Sequence, residues 1–578
     1  MKLKSFLGPV FAEELRGKVV PEDEEFSVVR HRFSWVVLVV VFGVIFFRLV
    51  WLQVVKGQEN RVLSEENRIL ARRIAAPRGI IKDRKGEVLV QNIPVYRRRN
   101  QACEPVNGER EPADVCQEFV DISREEALEL EISGKGDEVL TLVGRSYPDG
   151  VASAHLTGYV GEVTREELAT DSDYQMGDLS GKMGVERSYE DLLHGRDGAE
   201  LVEVDVRNAV VREVSRKQPI AGIDLVLSVE RKLQIKAWQL LAERKGAVVA
   251  LDPGSGEVLA LVSSPSFDPN AVALSLGRED QPFFFRAIGG AYPPGSVFKV
   301  VTASAGLEEG KINAGTEFED TGEIRIGAYR YGNWYFDQYG RKEGLLNIVR
   351  AIKRSNDIFF YKVGQLVGPT RLAEWAKVFG YGRLTGIDLP GEVEGLVPSP
   401  LWKEREKGER WFLGNTFHFA IGQADLEVTP IQVAQMTSIV ASGGKHCQPH
   451  VVIKKGLREV EKDEFCQRLD IREETTRLVR EGMVEACRPG GTAFPFFNFG
   501  VTQDGVFQRI EVGCKTGTAE YGDPNGKTHA WFTVFAPAED PQIVVTVLLE
   551  GAGEGSYEAA PVAKDLLSYY FSEVSQKE

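Results

Sequence analysis

The most pronounced feature of the hydropathy pattern is one long apolar run near the N-terminus. Residues 35–47 contain no charged side chain, and after Arg48 apolar residues continue to Val55. A helix of about 20 residues is long enough to cross the hydrocarbon core of a bilayer. The pattern therefore predicts one transmembrane helix over residues 34–55, with Arg48 extending towards the outer interface.

The residues around this run predict how the chain is oriented. Arg30, His31 and Arg32 precede the run, and the positive-inside rule places such residues in the cytoplasm. A cleaved signal peptide is the alternative, but no small-residue cleavage site follows the run. We therefore expect a single-pass protein of the inner (cytoplasmic) membrane, with a cytoplasmic tail over residues 1–33 and the rest of the chain outside.

The next region, residues 56–217, carries many charged residues and only short apolar pieces. Residues 87–90 have a strand-like composition, and residues 60–74 are compatible with a helix at the start of the region. The region contains no catalytic motif. We predict a separate domain here, which ends at a boundary near residue 217.

Residues 218–578 combine helix-like and strand-like patterns. Residues 247–251 belong to the apolar strands that open this region. Near its end, residues 529–535 and 543–549 follow a strand-like stretch that begins near Ile510. Three such runs separated by short polar segments predict an antiparallel meander.

Composition narrows the classes of function. At 578 residues the chain is longer than one hydrophobic core usually serves, so more than one domain is expected. Its 70 basic and 85 acidic residues give a net charge of −15, which argues against a nucleic-acid partner. None of the seven histidines lies in a nucleophile-elbow arrangement with a serine, and no phosphate-binding loop occurs. No nucleotide cofactor is implied.

A serine and a lysine lie three residues apart at a predicted helix start. Ser296 and Lys299 lie in the run 293–299, and residues 300–307 are compatible with a helix that stops near Gly310. A serine hydroxyl is a weak nucleophile unless a neighbour accepts its proton, which a partly desolvated lysine can do once its pKa falls. Alone, this spacing occurs by chance, and a serine cap beside a solvated lysine is the alternative.

Two further motifs follow downstream: Ser355-Asn356-Asp357 and Lys515-Thr516-Gly517-Thr518. The first lies between two helical patterns, where Ser and Asp are also common N-cap residues. The second lies in a predicted strand, so Lys515 and Gly517 point to the same face. There a lysine would meet a substrate carboxylate, and a glycine would let the backbone approach closely.

The three motifs, in this order, are similar to the set found in penicillin-binding proteins and β-lactamases. The resemblance extends over most of the chain and is specific to class B penicillin-binding proteins. It is carried by the segments 48–53, 76–86, 184–190, 386–392, 420–423 and 429–432. Ala424 departs from the family pattern, in which glycine usually follows Ile-Gly-Gln. This departure concerns local geometry and not the nucleophile.

Two details resemble the elongation-type branch, penicillin-binding protein 2, more than the division-type branch. The third residue of the second motif is Asp357, where most relatives carry Asn. The segment after the third motif reads Thr-His-Ala-Trp-Phe over residues 528–532 and Phe-Ala-Pro over residues 535–537. The resemblance therefore implies a role in cell-wall elongation.

The resemblance implies an α+β fold. After the transmembrane helix we expect an elongated, strand-rich pedestal domain over residues 56–217, of the penicillin-binding protein dimerisation type. Residues 218–578 would form a penicillin-binding transpeptidase domain, with an antiparallel sheet flanked by helices as in serine β-lactamases.

The resemblance also implies acyl transfer through a serine ester. Ser296 would attack the penultimate D-alanine of a peptidoglycan stem peptide, and Lys299 would accept its proton. The other catalytic residues implied are Ser355, Asp357 and Lys515; the substrate-binding residues implied are Thr516, Gly517, Thr518, Asn356 and His529. For His529, a packed strand histidine is an equal alternative.

The expected partners follow from this activity. They are D-Ala-D-Ala stem peptides, β-lactams that mimic them, elongation-complex proteins and a membrane-embedded SEDS-type glycosyltransferase, since no glycosyltransferase region is recognised in the sequence. A D,D-carboxypeptidase or a β-lactamase would use the same motifs with water as the acceptor. A non-catalytic scaffold or β-lactam sensor is the third alternative.

The sequence contains cysteines that could form disulfides. Among six cysteines, Cys103 and Cys116 are the closest candidates for a disulfide in an oxidising compartment. Cys514 should face the other side of its strand from Lys515, and we expect it to be a buried packing thiol.

Some elongation-type relatives carry zinc near the second motif. At two of the aligned ligand positions, where those relatives have histidine and cysteine, this chain has Glu343 and Asn356. Asp320 and Asp337 match the carboxylate positions. Because both soft ligands are missing, we predict no structural zinc. We interpret Glu343 and Asp337 as structural or loop contacts.

Overall fold

The computed structural model describes residues 24–59, 68–99, 119–135, 138–170, 174–205, 210–461, 465–503 and 505–575. The chain forms two compact units. The smaller contains Met1–Ile74 and Gly198–Gln218, and the larger contains Ala75–Asp197 and Pro219–Glu578.

The described strands are β1 Ile69–Ile74, β2 Ile81–Lys82, β3 Val88–Arg99, β4 Phe119–Ile122, β5 Val139–Ser146, β6 Val160–Glu162, β7 Leu179–Gly181, β8 Gly198–Val204, β9 Val210–Lys217, β10 Leu225–Leu227, β11 Gly246–Leu251, β12 Val258–Ser264, β13 Phe318–Asp320, β14 Glu323–Ile326, β15 Tyr329–Gly332, β16 Gly344–Leu346, β17 Lys445–Cys447, β18 Val452–Lys455, β19 Arg458–Glu459, β20 Cys466–Arg468, β21 Gly500–Gln503, β22 Val506–Arg509, β23 Gly513–Glu520, β24 Thr528–Ala536 and β25 Ile543–Leu549.

The described α-helices are α1 Glu24–Val50, α2 Arg124–Ile132, α3 Ala154–Thr157, α4 Arg165–Thr170, α5 Gly184–Ser188, α6 Glu190–Leu193, α7 Arg231–Leu241, α8 Arg286–Gly289, α9 Lys299–Glu308, α10 Trp334–Tyr339, α11 Ile348–Arg354, α12 Asp357–Val367, α13 Pro369–Val378, α14 Pro400–Lys407, α15 Leu413–Ala420, α16 Pro430–Ala441, α17 Glu473–Ala486 and α18 Ala559–Tyr569.

The smaller unit contains the predicted membrane helix and a three-stranded sheet. The helix α1 continues through a π-helical turn at Trp51–Val55, and the 24-residue segment Arg32–Val55 contains an 18-residue window with a mean hydropathy of 2.6. This confirms the predicted apolar helix. The sheet order is β1-β8-β9. The predicted helix over 60–74 is wrong for its described part, because Ile69–Ile74 pairs with β8 as an antiparallel strand.

A five-stranded sheet in the larger unit has the order β12-β11-β25-β24-β23, and every pairing in it is antiparallel. The predicted meander is confirmed as β23-β24-β25. Successive side chains of a strand point to opposite faces, so the fully buried β25 contributes to two cores. One core packs this sheet against α7 and α18, and the other packs it against α16.

Two of the segments that carry the family resemblance, 76–86 and 184–190, meet in a buried cluster of ion pairs in the larger unit. Arg78 Nη2 lies 2.8 Å from Glu186 Oε2 and 2.6 Å from Glu190 Oε2, and Arg145 Nε lies 2.7 Å from Glu186 Oε1. Removing one partner of such a cluster leaves an uncompensated buried charge, which costs about 3–5 kcal/mol. The cluster accounts for Arg78 in the first segment and for Glu186 and Glu190 in the second.

Cys514 is not a free thiol, so the prediction of a packing thiol is wrong. Its side chain is fully buried on the back of β23, as expected, but the end of α17 lies there and Cys487 forms a disulfide with it. A second disulfide joins Cys447 of β17 to Cys466 of β20, which are paired in register. The pair formed by Cys103 and Cys116 lies outside the described residues.

Ala424 has a backbone conformation that favours glycine. Its φ is 65°, in the left-handed region where a Cβ is crowded by the following carbonyl oxygen. Two residues earlier, Gly422 has φ 77°, and a Cβ there would lie 2.1 Å from Gly295 O. The departure of Ala424 from the family pattern is thus a point of backbone strain.

We expect Ala424→Gly to stabilise the protein. Relief of left-handed strain contributes about 1 kcal/mol, and this should raise the melting temperature of the detergent-solubilised chain by about 2 °C. Gly422→Ala is the matched control, because it adds one methyl group in the same loop and should lower the melting temperature. Equal melting temperatures for wild type and Ala424→Gly would contradict the assignment of strain.

Candidate active site

The predicted nucleophile lies in a tight turn that leads into a helix. Ser296 belongs to the 3₁₀ turn Gly295–Phe298, and α9 begins at Lys299. Side chains three residues apart are eclipsed in a 3₁₀ turn, so Ser296 and Lys299 lie on the same side of the chain. Ser296 is half-buried and Lys299 is fully buried.

Close backbone contacts fix this turn on two sides. On one side, Gly295 N donates to Gly422 O at 2.8 Å. On the other side lies β23, where a Cβ on Gly517 would be 3.0 Å from Pro294 O and 2.9 Å from the Cβ of Trp531. We expected Gly517 to admit a substrate. The structure shows that its missing side chain admits the turn that carries Ser296.

The second motif lies between two helices, as its pattern predicted. Ser355 is the residue after α11 and has φ 52°, and Asn356 is the N-cap of α12, whose side chain accepts from Phe359 N at 2.9 Å. A left-handed non-glycine residue is strained and persists only where its surroundings hold it. Here that conformation brings Ser355 Oγ close to two lysines.

Both lysine amines donate to one hydroxyl. Lys299 Nζ donates to Ser355 O at 2.8 Å, to Ser355 Oγ at 3.3 Å and to Asp357 Oδ1 at 2.6 Å. Lys515 Nζ donates to Ser355 Oγ at 2.8 Å and to Thr516 O at 2.9 Å. A hydroxyl has two lone pairs and one proton. With both lone pairs engaged, the proton of Ser355 Oγ is left to donate to another group.

Both lysines are fully buried, and this burial lowers their pKa values. For Lys299, desolvation is the largest cause and lowers the pKa, while the charges of Asp357 and Glu343 partly oppose it. For Lys515, desolvation again dominates, the charge of Lys299 lowers the pKa further, and Asp357 opposes both. A buried amine with a lowered pKa is able to act as a base.

Asp357 is held by residues that the sequence did not indicate. Its Oδ2 accepts from Trp334 N at 3.0 Å, and its own N–H donates to Asn333 Oδ1 at 3.1 Å. Asn333 and Trp334 lie at the start of α10, in a segment without a recognisable motif. Only the folded chain brings that segment to the second motif.

The third motif lies on the edge strand of the five-stranded sheet. In the described part of the chain no strand pairs with the outer edge of β23, and an unpaired strand edge carries free backbone donors and acceptors. Lys515 is fully buried, whereas Thr518 is exposed. Thr516 Oγ1 donates to Thr492 Oγ1 at 3.0 Å.

The side chain of Asn356 has structural partners within the protein. The residue is fully buried, and besides capping α12 it donates from Nδ2 to Glu343 Oε2 at 3.1 Å. His529 is only 7% exposed, its Nδ1 accepts from Gly551 N at 3.1 Å, and its ring stacks on Tyr521. Its contacts favour the alternative of a packed strand histidine.

Two family models match this chain. The model described as "Penicillin binding protein transpeptidase domain" matches residues 246–568, and the model described as "Penicillin-binding Protein dimerisation domain" matches residues 117–227. The first match alone covers more than half of the chain and includes all three motifs.

Known proteins match over most of the chain. The peptidoglycan D,D-transpeptidase MrdA of Acinetobacter baumannii is 33% identical, with 95% of this chain and 88% of that protein covered. Penicillin-binding protein 2 of Helicobacter pylori, solved in complex with MreC, superposes with a TM-score of 0.74 at 27% identity, covering 87% of this chain and 99% of that one.

A third match comes from a solved peptidoglycan synthase complex, described as showing structural coordination of polymerization and crosslinking. One of its chains superposes with a TM-score of 0.72 at 29% identity, covering 94% of this chain and 98% of that one. The extent of these matches, together with the three motifs meeting at Ser355, leads to one conclusion: the chain belongs to the penicillin-binding transpeptidase family, in its elongation-type, penicillin-binding protein 2 branch.

Proposed function

We propose that this protein is a serine-type peptidoglycan D,D-transpeptidase that crosslinks stem peptides during cell-wall elongation and is acylated by β-lactams. The observation that carries the proposal is the placement of Ser355 Oγ between two buried lysine amines, close to the turn that presents Ser296. This arrangement supplies a base for the nucleophile and a proton for the leaving group.

Acylation begins with proton transfer from Ser296 to Lys299. Burial lowers the pKa of Lys299 and so favours the neutral form of its amine. As Ser296 Oγ attacks the carbonyl of the penultimate D-alanine, a C–O bond forms and the hydroxyl proton passes to Lys299 Nζ. The carbonyl oxygen becomes an oxyanion, which the backbone amides of Ser296 and Thr518 bind, at about 3 kcal/mol per donor.

The leaving group is the amine of the terminal D-alanine. The peptide C–N bond breaks as Ser355 Oγ donates its proton to this nitrogen, and Lys515 then returns a proton to Ser355 through their 2.8 Å hydrogen bond. Asp357 keeps Lys299 and the second motif in place. The terminal carboxylate binds near Lys515, Thr516 and Thr518, with the close packing at Gly517 fixing the strand.

The acyl-enzyme is resolved by an amine of a second stem peptide. This amine attacks the ester carbonyl and gives up a proton through Ser355 Oγ to Lys515 Nζ. The Ser296 ester bond breaks, and Ser296 Oγ takes back the proton held by Lys299 Nζ, so both lysines return to their starting state. The product is a crosslink, and its energy source is the D-Ala-D-Ala bond broken in the first step. A β-lactam also forms an ester with Ser296, but the amine released by ring opening stays attached to the acyl group and is not lost from the site. Ser296 therefore stays acylated.

The hydrolytic alternatives share this acylation step and differ only in the acceptor. A D,D-carboxypeptidase or β-lactamase would use water at the ester. The membrane helix and the large region between it and the catalytic motifs favour a transpeptidase that works on the cell wall at a distance from the membrane. A non-catalytic scaffold would not need two lysines converging on one hydroxyl, and a β-lactam sensor would be acylated without forming crosslinks.

The proposed organisation follows the sequence. Residues 1–33 are a cytoplasmic tail, 34–55 cross the inner membrane, 56–217 form the pedestal and 218–578 form the transpeptidase domain outside. MreC binds the Helicobacter pylori relative, and a homologous chain belongs to a peptidoglycan synthase complex. We therefore propose elongation-complex partners, among them a SEDS-type glycosyltransferase that supplies the glycan strands.

Replacement of the nucleophile should abolish covalent labelling. We expect Ser296→Ala to lose labelling by a fluorescent penicillin completely, measured on a denaturing gel with the full chain in detergent. Ser304→Ala is the matched control, because Ser304 lies on α9, the helix that follows the turn of Ser296, and its hydroxyl donates to Val300 O; it should label like wild type. Persistent labelling of Ser296→Ala would refute the nucleophile assignment.

The products distinguish the transpeptidase from its hydrolytic alternatives. With lipid-linked peptidoglycan and a partner glycosyltransferase, wild type should release D-alanine and form crosslinked muropeptides, detected by mass spectrometry. Ser296→Ala should yield polymer without crosslinks. Release of D-alanine with no crosslinks from wild type would identify a carboxypeptidase instead.

The charge of Asp357 should set the pH dependence of acylation. Its carboxylate raises the pKa of Lys299, so Asp357→Asn lowers that pKa and leaves more neutral amine at a given pH. The acid limb of the acylation rate should therefore move to lower pH by about one unit. The measurement is the rate of fluorescent-penicillin labelling between pH 5 and pH 10. A limb that stays in place or moves to higher pH would contradict Lys299 as the base.

A further inference from the structure

A buried carboxylate next to the second motif has no part in the mechanism above. Glu343 precedes β16, and its side chain is only 6% exposed. The carboxylate pairs with the guanidinium of Arg354 and accepts from Asn356 Nδ2 at 3.1 Å. These two partners are the residues immediately before and after Ser355. Glu343 therefore binds the residue on each side of Ser355, whose hydroxyl accepts from both lysines.

Arg354 is itself held in place by several groups. It donates from Nη1 to Gly490 O at 2.7 Å, and its guanidinium lies 5.7 Å from the ring of Trp334 and 5.0 Å from the ring of Tyr335. Trp334 also donates from Nε1 to Arg354 O at 3.0 Å. A planar cation paired with a carboxylate and stacked on aromatic faces has little freedom. The ion pair with Glu343 is thus a rigid support.

Glu343 is anchored in turn through its own backbone. Its N–H donates to Asp320 Oδ2 at 3.0 Å, and the same oxygen accepts from Asn333 Nδ2 at 3.0 Å. Asn333 also accepts from Asp357 N. The chain of contacts from Asp320 through Glu343 and Asn333 thus reaches residues 354, 356 and 357.

The donor groups at this place do not fit zinc. Zinc takes thiolate, imidazole or carboxylate ligands in a tetrahedral set, whereas Glu343 is here bound by a cation and Asn356 presents its amide N–H₂. Asp337 is paired with Arg330 on the exposed side of α10. Among the described residues, no group of three or more His, Cys, Asp or Glu is placed to hold a metal. The support of the second motif is an ion pair.

We propose that Glu343 is a positioning residue of the transpeptidase: its carboxylate binds Arg354 and Asn356 and thereby holds Ser355 between Lys299 and Lys515, without a metal ion. The inference rests on the function proposed above, because it assigns Glu343 a part in that reaction. Glu343 does not touch the reacting atoms and acts through the second motif.

The charge of Glu343 also reaches the base. The titratable groups that face Lys299 are Asp357 from α12, Lys515 from β23 and Glu343 from the segment before β16, and the carboxylate of Glu343 raises the pKa of Lys299. The pH profile therefore reports whether the charge of Glu343 acts on Lys299, and the maximal rate at a wild-type melting temperature reports whether Glu343 holds Ser355 in place.

The test compares two substitutions with a matched control in the full-length protein in detergent. Glu343→Gln removes the charge but keeps an acceptor for Asn356, and Glu343→Ala removes both. Asp337→Asn makes the same carboxylate-to-amide change on an exposed residue nearby. For each variant, labelling rates with fluorescent penicillin are measured from pH 5 to pH 10, together with the melting temperature and the effect of a zinc chelator.

We expect Glu343→Gln to move the acid limb of the labelling rate to lower pH by about half a unit, because a more distant charge acts more weakly than Asp357. Glu343→Ala should lower the maximal rate about 100-fold through misplacement of Ser355. Asp337→Asn and the chelator should have no effect. Arg354→Gln combined with Glu343→Gln should cost less than the sum of the single effects, since both remove one interaction.

Three outcomes would overturn the proposal. They are a wild-type pH profile for Glu343→Gln at a wild-type rate, a lower melting temperature with no change in the acid limb, and inhibition of wild type by the chelator. Failure of the proposed function would be recognised separately: wild type would then label but form no crosslinks, while the labelling rates of the Glu343 variants would still differ from that of wild type.

Discussion

The structure depends on two buried lysine amines that share one hydroxyl. Lys299 and Lys515 are both fully buried and both donate to Ser355 Oγ. Burying an ammonium group is costly, and two of them close together repel each other. The site lowers this cost with the carboxylate of Asp357 and with carbonyl acceptors, and it leaves the amines with lowered pKa values. The energetic difficulty of the arrangement is what makes the lysines chemically useful.

The shared hydroxyl can be placed only if three distant segments meet accurately. Close contacts at Gly517 and Gly295 join the turn at Ser296 to the strand at Lys515, and Gly422 packs against the same turn. The junction at Ser355 is joined to both through the hydrogen bonds of Lys299 and Lys515. At each glycine a side chain would meet backbone atoms. Because protein interiors are close-packed, an error at one contact displaces the others. The glycines of this site therefore allow the catalytic segments to pack closely against one another.

The sequence predicted features that depend on local pattern and missed those that depend on distant contacts. The apolar run, the meander and the helix junction at Ser355 follow from periodicity, and the structure confirms them. The disulfide between Cys487 and Cys514 joins residues 27 positions apart on different elements, so no local signal reveals it. The two hydrogen bonds of the Asn356 side chain, to the first turn of α12 and to Glu343, also depend on the fold and are not indicated by the motif.

Asp357 and Glu343 place two negative charges around a base that must lose its proton to work. Both carboxylates raise the pKa of Lys299, yet desolvation is the larger cause and the pKa stays lowered. Exclusion of water, and not any single partner, therefore makes Lys299 a base. The carboxylates have a structural role instead, because their hydrogen bonds hold the second motif in a strained conformation. The carboxylates thus make Lys299 harder to deprotonate but fix the position of Ser355. Because burial lowers the pKa of Lys299 by more than the carboxylates raise it, Lys299 can still act as a base.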